Sequence, residues 1–276
     1  MTIDHVITDQ NTCYLDRPEG RIAYDVDGVG PLVVLVPGMG DLRSAYRFLA
    51  PALLDAGYRV ACTDLRGHGD SDTTFTSYGD VETGSDVIAL IEELGGPAVI
   101  AGNSMAAGSA VLAAAERPDL VSGLVLIGPF VRNGNVGALQ RLLLRVAMAR
   151  AWAPTSWKLY MPKLYAGRQP TDFNDYRARV IDQLRRPGYA KAFSLTTHTS
   201  HDESEARLTA VSAPTLVLMG EKDPDFPDPK AEADWIGDAL SAEVVMVPDA
   251  GHYPQSQRPD ITTDAVLHFM KTVNRA

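Results

Sequence analysis

Leu32-Val33-Val34-Leu35-Val36 is apolar at every position, so neither face of it is suited to water. A run of this length suits a strand covered on both faces, as in a parallel sheet flanked by helices. Val99-Ile100-Ala101, Val121 to Ile127 and Leu216-Val217-Leu218-Met219 have the same character. Helical stretches lie between them. Ser44 to Ala56 is stopped by Gly57, and Tyr78 to Leu94 places Val87, Leu90, Ile91 and Leu94 on one face. Strands that alternate with helices at short spacing need crossover connections, and hence a mostly parallel sheet. Thr12 to Leu15 and Arg21 to Val26, separated by Pro18-Glu19-Gly20, read instead as an antiparallel hairpin at the sheet edge. With Tyr58 to Cys62 and Glu243 to Val247 the expected strands number eight. Helices are expected over Lys230 to Leu240 and Ile261 to Val273.

The alternation stops after Gly128-Pro129. From Phe130 to about Val211 no strand-like run occurs, and Pro154, Pro162, Pro170 and Pro187 divide the stretch into short helices. Leu139 to Trp152 is expected to be helical, with Leu142, Leu143 and Val146 as its apolar face. The stretch is rich in aromatic residues, which suit both a small core of their own and the wall of a pocket. The expected organisation is a core of residues 1–129 and 212–276 with a helical insertion at 130–211.

A formal net charge of −10 argues against nucleic-acid and anionic membrane partners. Met1 to Gln10 carries Asp4 and Asp9 and no long apolar run, so no signal peptide or spanning helix is expected there. Cys13 and Cys62 lack metal-ligand spacing and fit free thiols in a cytoplasmic protein.

The chemistry concentrates where strands are expected to end. Val99-Ile100-Ala101-Gly102-Asn103-Ser104 passes from strand pattern to the alanine-rich helix pattern of Ala106 to Arg117 within three residues. A serine at such a junction is lifted above the carboxyl end of its strand on a turn that admits only small neighbours, the nucleophile elbow G-x-S-x-G. Here Ala106 replaces the last glycine. Asp223 and His252 fall after two later strands, and ligands on open α/β sheets bind beyond such strand ends. A serine hydroxyl needs a base to attack a carbonyl, imidazole can take and return its proton, and a carboxylate fixes the imidazole tautomer.

Five segments carry a resemblance along nearly the whole chain. They are Val36-Pro37-Gly38-Met39-Gly40, Asp64-Leu65-Arg66-Gly67-His68-Gly69-Asp70-Ser71, Gly102-Asn103-Ser104-Met105-Ala106, Gly220-Glu221-Lys222-Asp223 and Ala250-Gly251-His252. In this order and spacing they resemble the α/β-hydrolase superfamily. The resemblance implies the α/β-hydrolase fold, with helices on both faces of the sheet and a cap after the sixth strand, where 130–211 lies. It implies a triad of Ser104, Asp223 and His252, with Asp225 the alternative acid two residues on. It also implies an oxyanion hole made by the backbone N–H groups of Met39 and Met105, whose side chains would line an apolar acyl pocket. His68 resembles a residue that is structural in the family.

His198 and His201 are expected to be solvated or hydrogen-bonded in the insertion, and with Asp202 they could hold a metal only if brought together. His5 and His268 are expected at the surface. The reading requires no cofactor and no metal. It implies a serine hydrolase acting on a small, largely apolar ester or lactone, with oligomeric state, including a homodimer, left open. The Asn103-Ser104-Met105 elbow also resembles that of meta-cleavage-product C–C hydrolases, and a ligand sensor retaining the triad is a third reading.

Overall fold

The computed structural model describes residues 12–134, 143 and 145–273. β1 (Cys13–Arg17), β2 (Gly20–Asp27), β3 (Leu32–Val36), β4 (Arg59–Thr63), β5 (Ala98–Asn103), β6 (Val121–Ile127), β7 (Thr215–Gly220) and β8 (Glu243–Val247) form one eight-stranded sheet. Its order is β1-β2-β4-β3-β5-β6-β7-β8. β1 pairs antiparallel with β2, as does β2 with β4, and the other neighbours are parallel. This is the α/β-hydrolase fold expected from the sequence.

Side chains alternate across the inner strands, so each face has its own apolar layer. Val33, Leu35, Val99, Ala101, Val125 and Ile127 face one layer with α1 (Leu49–Asp55) and α10 (Pro259–Val273). Val34, Val36, Ile100, Leu124 and Leu126 face the other, with α2 (Asp80–Leu94), α3 (Ala106–Glu116) and α8 (Pro229–Leu240). Each such buried side chain contributes roughly 1.5–3 kcal/mol of hydrophobic stabilisation.

The expected helix Ser44 to Ala56 is in fact two pieces, a 3₁₀ turn at Arg43–Tyr46 and then α1. Two local features account for the break. Asp64 Oδ1 accepts the Arg43 N–H at 2.8 Å, tying the chain to the loop after β4. Pro51 has no N–H and fits only in a helix's first turn. α2 begins two residues later than expected and ends at Gly95, whose φ of 77° closes the helix in the left-handed conformation.

Between β6 and β7 lie α4 (Ala153–Leu164), α5 (Phe173–Leu184), α6 (Tyr189–Thr196) and α7 (Asp202–Arg207). Their Trp157, Met161, Tyr165, Tyr176 and Phe193 join the same apolar layer as α1 and α10. Of the helix expected at Leu139 to Trp152, residues 139–142 and 144, Leu142 among them, lie outside the described residues, and the described part is helical only to Ala147, short of Trp152. Of its expected apolar face, Leu143 and Val146 are 59% and 51% exposed. The short α9 (Pro254–Gln257) precedes α10. Among the described residues, no helix is long and apolar enough to cross a membrane. Cys13 and Cys62 are not joined by a disulfide.

The topology fixes where a site can form. The chain leaves β3 for β4 on one side and returns to β5 on the other, so the strand order reverses at β3 and β5. Loops diverge at such a switch point and leave a crevice beyond the carboxyl ends. Val36 pairs with Gly102 at the end of that parallel ladder, which sets the loop at Met39 beside Ser104.

Candidate active site

β5 ends at Asn103 and α3 begins at Ala106, so Ser104 and Met105 make the whole reversal. Ser104 has a φ of 59°, a region that non-glycine residues rarely occupy and that persists only when the surroundings enforce it. Its N–H donates to Ile127 O at 2.9 Å, and its carbonyl accepts from Ala107 N at 3.0 Å and Phe130 N at 3.2 Å. Gly102 is required here, because a Cβ on it would stand 2.4 Å from Ala106 O. Ala106 itself is accommodated at 1% exposure, so the extra methyl in the elbow leaves the turn intact.

Asp223 lies in the turn after β7 and His252 in the loop after β8, each 2% exposed. The His252 Nδ1 is 2.7 Å from Asp223 Oδ2. Asp225 Oδ2 is 3.7 Å from the same nitrogen, so Asp223 is the hydrogen-bonded partner of the two. Asp223 Oδ1 accepts the Asp225 N–H at 3.1 Å, which stiffens the turn. The loop reaches the serine through Asn103, whose Nδ2 donates to Ile127 O at 2.9 Å and to His252 O at 3.2 Å. Phe130 meets both: its N–H is on the Ser104 carbonyl, and its ring lies 5.9 Å from the imidazole, edge to face.

Burial disfavours the imidazolium, but the charge and hydrogen bond of Asp223, with the charges of Asp225 and Asp41, outweigh it and raise His252 to about 9. Burial raises the Asp225 carboxyl, and the Asp223 charge adds to this against His252 and the Tyr160 hydroxyl. Among the described residues, Asp223, Asp225 and His252 are the group with metal-ligand spacing, with ligand atoms within 4.8 Å of one another. Nδ1 is committed to Asp223 and Asp225 to the Tyr160 hydroxyl, so the cluster is satisfied as an acid–imidazole group.

The loop after β3 is a turn in which Gly38 O accepts the Asp41 N–H at 3.3 Å and Gly40, its third residue, has a φ of 72°. That is the type II arrangement, which calls for glycine at this position. The turn lies against the serine, since a Cβ on Gly38 would be 2.8 Å from Ser104 Cβ. Gly40 N–H donates to His68 Nε2 at 3.0 Å, and His68 Nδ1 is 2.8 Å from Arg66 O. An Nε2 that accepts and an Nδ1–H that donates define the neutral imidazole. Burial enforces the same state, pushing His68 down to about 4 against the hydrogen bond to Arg66. Met39 is partly buried, whereas Met105 is fully buried and packs in the α2–α3 layer. Of the two methionine side chains expected to line a pocket, Met105 therefore packs inward.

Two features escaped the sequence reading. Asp41 is 1% exposed. Its Oδ1 accepts from the Tyr176 hydroxyl and from Leu42 N, and its Oδ2 has no partner among the described residues. Burial raises it to about 6, against Tyr176, the Leu42 N–H, and the charges of Arg47 and His252. The only signal was an acid directly after Gly38-Met39-Gly40. The second is the partner of His201, which is buried and hydrogen-bonded, one of the two settings expected of it. Its Nδ1 and the Ser204 hydroxyl each lie 2.7 Å from Asp80 Oδ2, and its ring stacks on Phe130 at 5.7 Å. His198 is exposed, and His198, His201 and Asp202 do not gather as ligands. His268 is exposed as expected, and His5 lies outside the described residues.

The sequence model of the Alpha/beta hydrolase family matches residues 33–265. The 2-(acetamidomethylene)succinate hydrolase of Mesorhizobium japonicum is 29% identical over 265 residues, spanning 91% of this chain and 92% of that protein. The sn-1-specific diacylglycerol lipase ABHD11 of Mus musculus is 27% identical over 262 residues, spanning 89% of this chain and 83% of that one. A bromoperoxidase from Bacillus anthracis shares the fold with a TM-score of 0.82 at 20% identity, over 95% of this chain and 100% of that chain. With the sheet order, the elbow and the loop histidine already in place, the match over most of its length makes this chain a member of the alpha/beta hydrolase family.

Proposed function

We propose that the chain is a cofactor-free serine hydrolase that cleaves a small, largely apolar, uncharged ester or lactone through an acyl-enzyme on Ser104. The observation that carries this reading is the buried His252–Asp223 pair at 2.7 Å, whose loop is bound through the His252 carbonyl to Asn103, the residue before a serine in a left-handed backbone conformation. The relatives named above as a hydrolase and a lipase support the reaction class.

In this reading Asp223 accepts the Nδ1–H of His252, which leaves Nε2 with its lone pair for the Ser104 proton. The Ser104 oxygen attacks the carbonyl carbon and the proton passes to Nε2. The imidazolium so formed faces three carboxylates, Asp223, Asp225 and Asp41, which favour its charge. The Met39 and Met105 N–H groups receive the developing oxyanion, a contribution of roughly 3 kcal/mol each. Nε2–H then protonates the leaving oxygen. Water, deprotonated by His252, repeats the sequence and releases the acid. The same carboxylates oppose an anionic substrate near the imidazole. Phe130, Phe226, Trp157 and Phe193 supply apolar surface around the loops. Residues 130–211 act as the cap. Asn103, the elbow residue shared with C–C hydrolases, is fully buried and its amide nitrogen is bound to backbone carbonyls. It therefore offers no reason to prefer that reaction.

The test is turnover of p-nitrophenyl acetate and butyrate by the wild type and Ser104→Ala. The expected result is a loss of about a thousandfold or more in the variant, with mass spectrometry placing a fluorophosphonate adduct on Ser104. Turnover unaffected by Ser104→Ala overturns the proposal. So does one slow turnover ending in a persistent adduct, the behaviour of a sensor.

A further inference from the structure

Gly40 is gripped at both ends. Its N–H donates to His68 Nε2 at 3.0 Å, from the core, and its carbonyl accepts from Trp157 Nε1 at 2.9 Å, from helix α4 of the cap. The Trp157 and Phe193 rings press on its bare Cα, where a Cβ would meet Phe193 at 2.6 Å and Trp157 at 2.7 Å. A type II turn is related to type I by a flip of its central peptide. In this turn the central peptide is Met39–Gly40, whose N–H is the group bound to His68. Flipping it would break that hydrogen bond, and the indole N–H on the following carbonyl resists the same rotation. The N–H, Cα and carbonyl of one glycine are thus committed. The Gly38 carbonyl, which shares its peptide plane with the Met39 N–H, is held by the Asp41 N–H at 3.3 Å, so that amide is left with one orientation.

The same helix meets the other two loops of the site. The Tyr160 hydroxyl donates to Asp225 Oδ1, and Leu164 O accepts the His252 N–H at 2.8 Å. Trp157, Tyr160 and Leu164 lie within two turns of α4, so one rigid element touches the oxyanion loop, the acid turn and the histidine loop.

We infer that α4 holds the three loops of the site in register, and that Trp157 is a positioning residue for the oxyanion loop. It touches no reacting atom and acts through the Gly40 carbonyl on the aim of the Met39 N–H. This rests on the serine-hydrolase reading proposed above.

The experiment uses full-length wild type, Trp157→Phe, His68→Gln and Leu159→Ala. Trp157→Phe keeps an aromatic ring and deletes the donor. His68→Gln acts on the other end of the same residue, so the inference stays testable should Trp157→Phe fold poorly. Leu159 is 71% exposed on the same helix and controls for substitution in α4 as such. With p-nitrophenyl butyrate, kcat is expected to fall about tenfold in Trp157→Phe and His68→Gln, with KM within twofold and Leu159→Ala unchanged. Affinity for an alkyl boronic acid, which becomes tetrahedral and anionic on Ser104, should fall by the same factor as kcat. Affinity for butanol, which makes no oxyanion, should not. A purely structural defect would lower the active fraction and leave the boronate affinity of the remaining enzyme unchanged. Ser104-dependent turnover with wild-type kcat and boronate affinity in the variants overturns this inference alone. A wild type with no Ser104-dependent turnover overturns the hydrolase reading, and this inference with it.

Discussion

Asp41→Asn isolates the energetic consequence of burying a carboxylate in the loop after β3. Asparagine keeps an oxygen for the Tyr176 hydroxyl and the Leu42 N–H and removes the charge. Burial raises the Asp41 carboxyl from 3.8 to about 6, a little over two units, or about 3 kcal/mol at 1.36 kcal/mol per unit. A carboxyl that binds its proton more tightly when folded makes the fold less stable as pH rises. The favourable term is fully present below the unfolded value of 3.8 and is lost once pH has passed the folded value of about 6. Asparagine does not titrate, so the variant escapes this loss. Any constant difference between amide and acid cancels in a comparison across pH. From pH 4.5 to 8 the stability difference should move in favour of the variant by about 2 kcal/mol, the part of the shift lying in that window. Urea unfolding of both proteins across this range measures it directly. Parallel stability curves would refute the reasoning, because they would mean that the buried carboxyl titrates as it does in the unfolded chain. In the same variant the imidazolium loses one of its three carboxylate neighbours, so the acid limb of kcat/KM should move to lower pH.

His252 must be neutral to accept the serine proton, and it is raised to about 9. The pH profile of kcat/KM should therefore climb through neutrality and level off near that value. Asp225→Asn removes a charge 3.7 Å from Nδ1, and should shift the midpoint down by about one unit with activity retained. Asp223→Asn, which breaks the hydrogen bond itself, should lose about a thousandfold or more in kcat. Gly102→Ala forces a Cβ to within 2.4 Å of the Ala106 carbonyl oxygen. It should destabilise the protein by about 2–3 kcal/mol in thermal or denaturant unfolding, and lower esterase activity by displacing Ser104.

The parts of the fold legible in the sequence are those where one physical demand acts alone. β3 and β6 fall on Leu32–Val36 and Val121–Ile127 as expected, because inner strands and their turns leave little choice of register, and the edge strand β8 also falls on Glu243–Val247 as expected. The helix expected from Ser44 was divided because a tertiary bond from Asp64 and a proline act against its periodicity. In the site, Ser104, Asp223 and His252 stand in short motifs at strand ends, so the chain itself marks them. The Gly220-Glu221-Lys222 setting favours Asp223 over Asp225, and the distances to His252 Nδ1, 2.7 Å against 3.7 Å, agree with that preference. Trp157, Tyr160 and Tyr176 carried no such mark. Their partners Gly40, Asp225 and Asp41 are 117, 65 and 135 residues away, and no local pattern encodes a contact of that span. His201 was expected to be solvated or hydrogen-bonded and is hydrogen-bonded, but its partner Asp80, 121 residues earlier, was illegible for the same reason.

Trp157, Phe173, Tyr176 and Phe193 of α4 to α6 share one continuous apolar layer with Tyr46, Leu49 and Phe269 of the core. An insertion packed in this way is not a detachable module. A chimaera carrying the corresponding segment of a relative would place foreign side chains against Arg47, whose guanidinium binds Asp172 and lies 4.2 Å from the Tyr176 ring centroid. It would leave voids or collisions beneath the site before any new substrate was met. Changing preference is therefore expected to proceed by substitution within residues 130–211, with matching changes around Arg47, rather than by exchange of the whole segment.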